Sequence, residues 1–342
     1  MPNRDRSRGA LLGLAVGDAL GTTLEFADRE APPFPELAVG PHREMVGGGP
    51  FEVAPGQVTD DTQLACCLAD ALHTCRRFDA DETARRYLEW RPHAFDIGNQ
   101  TSAALAEIAH GTSALEAGRR VWGARTGNRP AGNGSLMRTA PIGVYLAERP
   151  DERLAASLGD SAITHYDPRC RIACAALNAA IATAVRRDEP CIGPELLAAG
   201  RAEVVRATEV LLAEPQPYRK QISAAKADLL DDLAAAGEDD PELYGPEVHL
   251  QRQEGFVRVA FRLAFWELMH APSFEAALVD VVNRGGDADT NGAIAGALLG
   301  ACRGEQAIPK RWRTAVLKAL QDRRPSPLRD RYHPKRLMEL VP

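Results

Sequence analysis

Two stretches of the chain set acids and threonines on the threshold of segments too apolar for a surface. In GGDADTNGAIAG, residues 285–296, Asp287, Asp289 and Thr290 open a run that carries no charge from Ala293 to Ala301. In VTDDTQLACCLADAL, residues 58–72, Thr59, Asp60, Asp61 and Thr62 do the same. Acids in a first helical turn complement the helix dipole, and Thr59 suits an N-cap, so simple capping explains either stretch alone. It does not explain both. Adjacent aspartates project in different directions, a cap needs only one of them, and neither helix start contains an arginine or lysine. Buried carboxylates without partners are costly, and metal is the economical partner. Carboxylates and threonine hydroxyls are hard oxygen ligands that suit magnesium, manganese or calcium better than zinc. Thr59, Asp60, Asp61, Asp287, Asp289 and Thr290 are the candidate ligands, enough for two ions.

Other stretches are individually weak. Glu25 ends an apolar helix, where a surface glutamate is the ordinary reading. GNGSLMRTAP, residues 132–141, offers Gly132, Asn133, Gly134 and Ser135, whose amides suit a phosphate, with Arg138 close by; such a run more often makes a turn. FDIGNQTSAAL, residues 95–105, gives Asp96 and Asn99 ahead of a helix, and THYDP gives His165 and Tyr166.

Helices must carry these residues. Alanine and leucine dominate, aromatic residues are 6%, and no stretch is rich in β-formers. Apolar periodicity predicts helices over 62–75, 79–90, 101–109, 113–122, 151–163, 168–186, 197–213, 219–236, 253–270, 273–283 and 291–303. Residues 9–20 interleave glycine and alanine, which suits a close-packed helix and would be costly in an exposed one. Helix 253–270 reads as amphipathic, with Phe256, Val259, Ala260, Leu263 and Trp266 on one face. Residues 28–57 hold six prolines and three successive glycines, and a loop of that length inside a domain is usually functional. Residues 196–252 are the most polar and predict an outer helical layer. No Gly/Ser linker flanks them, so the expectation is one all-α domain over 1–342.

With 342 residues, 45% hydrophobic and 26% charged, the chain is an ordinary globular one. A net charge of −6 argues against a sequence-independent nucleic-acid binder. No uncharged run approaches the length of a membrane span, and Asp18 interrupts the apolar N-terminal stretch, against a signal peptide. The seven cysteines form no CxxC pair and read as reduced thiols, so a cytoplasmic protein is expected.

In this order, GALLGLAVGDALGTTLEF (9–26), VTDDTQ (58–63), FDIGNQTS (95–102), AGNGSLMRTAP (131–141), THYDPRC (164–170) and EGFVRVAFRLAFWEL with NRGGDADTNGAIAGALLGA (254–301) resemble the ADP-ribosylglycohydrolase family. The resemblance spans nearly the whole chain. It implies a compact multi-helix fold, a binuclear magnesium or manganese centre, and hydrolysis of the bond between C1″ of ADP-ribose and a protein side chain. Thr59, Asp60, Asp61, Asp287, Asp289 and Thr290 become the implied ligands, and Glu25 a ligand or gate. Asp96 is the favoured proton-transfer residue, with Glu25 and Asp289 the other catalytic candidates. Asn99 would lie near the ribose, Gly132 to Ser135 and Arg138 near the diphosphate, and His165 and Tyr166 along the pocket wall. The implied partners are ADP-ribose, an ADP-ribosylated protein, and the cognate ADP-ribosyltransferase that modified it. GNGSLMR and DIGN look closest to arginine-specific bacterial members. A serine or nucleobase linkage, or a non-catalytic ADP-ribose-binding or occluding protein on the same fold, are the alternatives. Ala288 stands where the family often has threonine, and Asn291, where an apolar residue is common, is expected to reach the pocket. The loop at 28–57 follows Glu25 directly and is expected to cover the ribose.

Overall fold

In a computed structural model describing residues 2–27, 36–124, 131–213 and 217–341, the long apolar segments are helical and the punctuation falls between them. The first five helices are α1 (Arg4–Gly21), α2 (Asp60–Cys75), α3 (Ala80–Trp90), α4 (Asn99–Ala109) and α5 (Ala114–Gly123). Next come α6 (Ala140–Tyr145), α7 (Pro150–Thr164), α8 (Pro168–Val185), α9 (Gly193–Ala213) and α10 (Arg219–Ala235). The last are α11 (Val257–His270), α12 (Phe274–Asn283), α13 (Ala288–Arg303), α14 (Lys310–Lys318) and α15 (Pro334–Leu340). Among the described residues there are isolated β-bridges but no strand, and no helix is long and apolar enough to cross a membrane. The seven cysteines are free.

The centre of the fold is the contact between α1 and α13, the most extensive between any two helices. The helices run antiparallel, and glycines at every fourth position of α1, from Gly9 to Gly21, face Gly300, Gly296, Gly292 and Ala288 in turn. A Cβ placed on Gly17 would overlap the backbone carbonyl of Gly292, and one on Gly13 that of Gly296. Only glycine lets the two backbones touch, and that contact brings Asp18, one residue past Gly17, level with Asp289 in the first turn of α13. Gly17→Ala is therefore expected to cost about 1–3 kcal/mol by overpacking, despite alanine's better helix propensity. In α5, a Cβ at Gly123 meets nothing within 4 Å, so Gly123→Ala is the matched control, expected to be neutral or stabilising. Urea midpoints for the two variants test this; equal midpoints would show that the glycine contact is not tight.

Around this pair lie α8 and α11, both buried on nearly every face. For α11 that departs from the amphipathic reading, and its helix begins at Val257 rather than at residue 253. Its arginines are not on a solvent face. Arg258 and Arg262 both ion-pair with the fully buried Asp232 of α10, at 2.9 and 2.7 Å. The polar stretch 196–252 thus packs its helices α9 and α10 over the inner layer, as an outer layer should. Three short helices, α6, α14 and α15, fall where the sequence pattern predicted none. Of the proline-rich loop, 28–35 lie outside the described residues; 36–57 are irregular apart from one 3₁₀ turn, Leu37–Val39.

Candidate active site

Three helix starts and two turns converge on one cavity. Thr59 is the extended N-cap of α2, but its side chain does not cap that helix. The cap comes from α1. The carboxylate of Asp18 accepts from Thr59 N at 3.0 Å, from Thr62 N at 3.1 Å and from Thr62 Oγ1 at 2.5 Å. This fixes the N-terminus of α2 against the α1–α13 pair and turns Asp60 and Asp61 inward. Asp287 is the N-cap of α13, and Gly285 and Gly286 before it have positive φ (70° and 63°), which lets the chain turn tightly into that helix. Glu25 reaches the same place from the end of α1. Phe26 N donates to Gly286 O at 2.7 Å and Gly286 N to Ala27 O at 3.0 Å, so the turn after α1 is clamped to the turn before α13.

The result is a concentration of negative charge. Oxygens of Asp18, Asp61 and Asp289 lie within 4.8 Å of one another, and so do those of Glu25, Asp287 and Asp289. Asp289 belongs to both sets. Hydrogen-bond donors are too few for these oxygens. Thr59 Oγ1 lies 3.1 Å from Asp18, 3.1 Å from Asp61 and 3.5 Å from Asp289, with a single hydrogen to share among them. Thr290 Oγ1 is 3.5 Å from Asp61, and Asn133 donates to Asp287 at 2.7 Å. Asp61 Oδ1 and Glu25 Oε2 are buried with no hydrogen-bond partner, and among the described residues no arginine or lysine pairs with any of these acids. Burial raises every one of these carboxyls, and neighbouring like charge adds to it for Glu25, Asp60, Asp61, Asp96 and Asp289, while hydrogen bonds hold Asp18 and Asp287 back. Burial is the largest cause throughout, lifting Asp18 and Asp96 to about 6 and Glu25 to about 9, while Asp60, Asp61 and Asp289 rise well above the usual carboxylate range and Asp287 rises less. So many carboxylates with so few donors need cations. The cluster can hold a metal, and its oxygen-only donor set suits a hard one.

The cavity beside this cluster has a volume of about 310 Å³. It is lined by the acids Glu25, Asp60, Asp96, Asp287 and Asp289 with Thr290, and by Asn99, Gly132, Asn133, Gly134 and His165. Thr59 and Asp61 are buried beside these acids and do not line the cavity. Asp96 stands beside Asp60 just before α4. Gly132 N is held by Gln100 at 2.8 Å and Asn133 N by Gly255 O at 3.0 Å, so those two amides are spent. The amides of Gly134 and Ser135 donate to no described atom. A Cβ on Gly134 would come within 2.9 Å of the His165 ring, so glycine lets the imidazole close on the loop. Burial, with Arg138 near, lowers His165 to about 3, which keeps it neutral. Arg138 donates to Thr164 Oγ1 at 2.9 Å, and that hydroxyl lies 2.8 Å from His165 Nδ1, leaving Nε2 on the cavity side.

Four expected contacts fall elsewhere. Arg138 is fully buried, ion-paired with Asp160 at 3.3 Å and stacked over Tyr87 at 4.5 Å, so it braces the Gly134 turn and does not face the cavity. The Ser135 hydroxyl is spent on Ser161 at 2.9 Å. Tyr166 packs against Trp122 and Tyr218, with centroids 5.6 and 6.4 Å away, outside the lining. Asn291 is buried off the cavity with both polar side-chain atoms unpartnered. Conversely, Asp18 and Gln100 were not anticipated as site residues. Asp18 carried a usable signal: it is the one acid in the apolar body of α1.

A chain-long family match agrees with this arrangement. Residues 1–339 match the family model described as ADP-ribosylglycohydrolase, and the chain belongs to that family. An ADP-ribosylarginine hydrolase of Serratia proteamaculans is 30% identical over 319 residues, 90% of this chain and 74% of that protein. The ADP-ribosyl-[dinitrogen reductase] glycohydrolase of Rhodospirillum rubrum is 31% identical over 313 residues, 90% of this chain and 89% of that protein. A solved structure titled as an ADP-ribosylglycohydrolase-related protein complex superposes with a TM-score of 0.70 at 29% identity, covering 99% of this chain and 97% of the other.

Proposed function

We propose that this protein hydrolyses the N-glycosidic bond between ADP-ribose and arginine in modified proteins, reversing mono-ADP-ribosylation, with two magnesium or manganese ions. The observation that carries the reading is the pair of carboxylate sets sharing Asp289. Asp18 and Asp61 offer oxygens on one side of Asp289, Glu25 and Asp287 on the other, with Asp60, Thr59 and Thr290 beside them. Cations held there would orient the ribose hydroxyls and lower the pKa of a bound water.

The chain's own groups supply the rest. Asp96 lines the cavity beside Asp60, which places it to take a proton from the attacking water and return one to the leaving group. Glu25, raised to about 9 by burial and neighbouring acids while no cation is bound, would give up its proton to a cation held against it. The acidic wall favours the positive charge that develops on the ribose as the bond to C1″ breaks. Gly134 and Ser135 offer free amides to the diphosphate, and neutral His165 lies beside them as a hydrogen-bonding neighbour. The similarity to arginine-specific relatives supports the linkage.

The test is release of ADP-ribose from arginine-modified and serine-modified protein with magnesium, manganese or EDTA. Release from arginine alone, abolished by EDTA, is expected. Release from serine would move the linkage; tight ADP-ribose binding without release from either would leave a binding protein on a hydrolase fold.

A further inference from the structure

One ring on the acidic cavity does nothing for the fold. Phe26 lines the cavity directly after Glu25 and is 57% exposed. Its backbone lies in the left-handed region, with φ of 58°, which glycine and asparagine adopt readily and a bulky residue does not. The main chain there is held independently of the side chain. Phe26 N donates to Gly286 O at 2.7 Å and Ala27 N to Leu24 O at 3.0 Å, so the clamp between the two turns needs no ring at position 26. Among the described residues no other ring and no guanidinium stacks on it. A strained backbone that presents an exposed aromatic ring at the rim of a cavity points to binding, not to packing.

The cavity specifies what that ring could meet. Six acids line it, Glu25, Asp60, Asp96, Glu254, Asp287 and Asp289, and among the described residues no arginine or lysine does. Asp18 and Asp61 are buried beside them, and two divalent cations neutralise only half of these eight carboxyls. The field at the rim therefore favours a further cation. Within ADP-ribose, the ribose goes to the acids and the diphosphate to the free amides of Gly134 and Ser135. What remains is the carrier side chain. It leaves C1″ at the acids and must pass to solvent, and Phe26 is the exposed residue next to Glu25.

We propose that Phe26 selects the linkage: its ring stacks on the guanidinium of the ADP-ribosylated arginine where that side chain crosses the rim of the cavity. The inference rests on the arginine reading of the reaction. A guanidinium is planar and weakly hydrated, so it stacks on an aromatic face at small desolvation cost, and the negative face of the ring adds to the attraction of the acids. A serine linkage offers neither charge nor plane. Phe26 is thus a specificity-determining residue, which touches the carrier side chain and moves no proton.

Three substitutions test it. Phe26→Asn removes the ring and suits the backbone, Phe26→Leu keeps apolar bulk without an aromatic face, and Phe26→Trp keeps the face. KM for a peptide ADP-ribosylated on arginine should rise about tenfold in the first two and stay at or below the wild-type value in the third, with kcat less affected. The inhibition constant of free ADP-ribose should be the same in all four proteins, because ADP-ribose lacks the guanidinium. Tm should not fall in Phe26→Asn. An unchanged KM in that variant overturns the proposal, and so does a leucine that preserves KM, which would make the contact merely apolar. An inhibition constant that rises with KM would set the ring against ADP-ribose, and a Tm lower by several degrees in Phe26→Asn would make it a packing residue; either overturns the proposal too. Wild-type release from a serine-linked peptide alone overturns the arginine reading and this inference with it. Release from arginine with no response to Phe26 overturns this inference and leaves that reading standing.

Discussion

Asp289→Asn is expected to lower turnover by roughly a thousandfold while making the cation-free protein more stable than the wild type. The two effects have one cause. Asp289 is the only carboxylate common to both acidic sets, so its loss weakens every site at which a cation could bind. Asparagine keeps the shape and the bond from Thr290 N, which donates to Asp289 Oδ1 at 2.8 Å. It removes one like charge from a buried group of acids and adds an amide that can donate to its neighbours Asp61 or Glu25. Most substitutions of buried polar residues cost stability; this one should gain it in EDTA and lose it relative to wild type in saturating magnesium or manganese. Thermal unfolding in both conditions, beside single-turnover assays, separates the outcomes. A variant that is inactive and also less stable in EDTA would mean that Asp289 serves the fold, and a variant retaining a tenth of wild-type turnover would remove it from the centre of the mechanism.

What could be read from the sequence follows how each residue is buried. Asp60, Asp61, Asp287 and Asp289 stood out because each pair sits where an apolar helix begins, and burial of the helix forces burial of the charge. Asp18 obeys the same rule but sits inside a helix rather than at its start, where a lone acid reads as a break in an apolar run. Its role as the cap of α2 depends on a crossing of helices that no local pattern displays. The glycines of α1 suggested close packing without naming α13 as the partner. Arg138 and Ser135 were placed near the diphosphate by proximity along the chain, yet the turn at 132–137 exposes the glycines and sends those two side chains inward to Asp160 and Ser161. In α11 the arginines that suggested a solvent face are neutralised inside the protein by Asp232. A periodicity argument assumes that charge means water, and it fails where a buried acid takes water's place.

Stability of the cation-free protein should fall as pH rises from 5 to 9, and added magnesium or manganese should restore it by an amount that grows over the same range. Unfolded, these carboxyls lose their protons near pH 4. Folded and without a cation, Asp18 and Asp96 keep theirs to about 6 and Glu25 to about 9, chiefly because burial penalises the charged form. The folded state therefore binds more protons than the unfolded one through this window, and by linkage its stability is fully present below about pH 4 and lost as pH climbs through the folded pKa values. A cation reverses the balance, since it binds the deprotonated oxygens and must displace protons at low pH. One ion at a hundredfold excess over its dissociation constant adds about 2.7 kcal/mol, or about 4 °C in Tm for a chain of this length, and two add about twice that. At pH 5 much of the gain should vanish through competition with protons. Melting curves at pH 5, 7 and 8.5, with EDTA or with each cation, read this directly. A cation shift that is the same at all three pH values would mean that the ion binds elsewhere. A cation-free Tm that rises with pH would mean that the acids are compensated by groups other than metal.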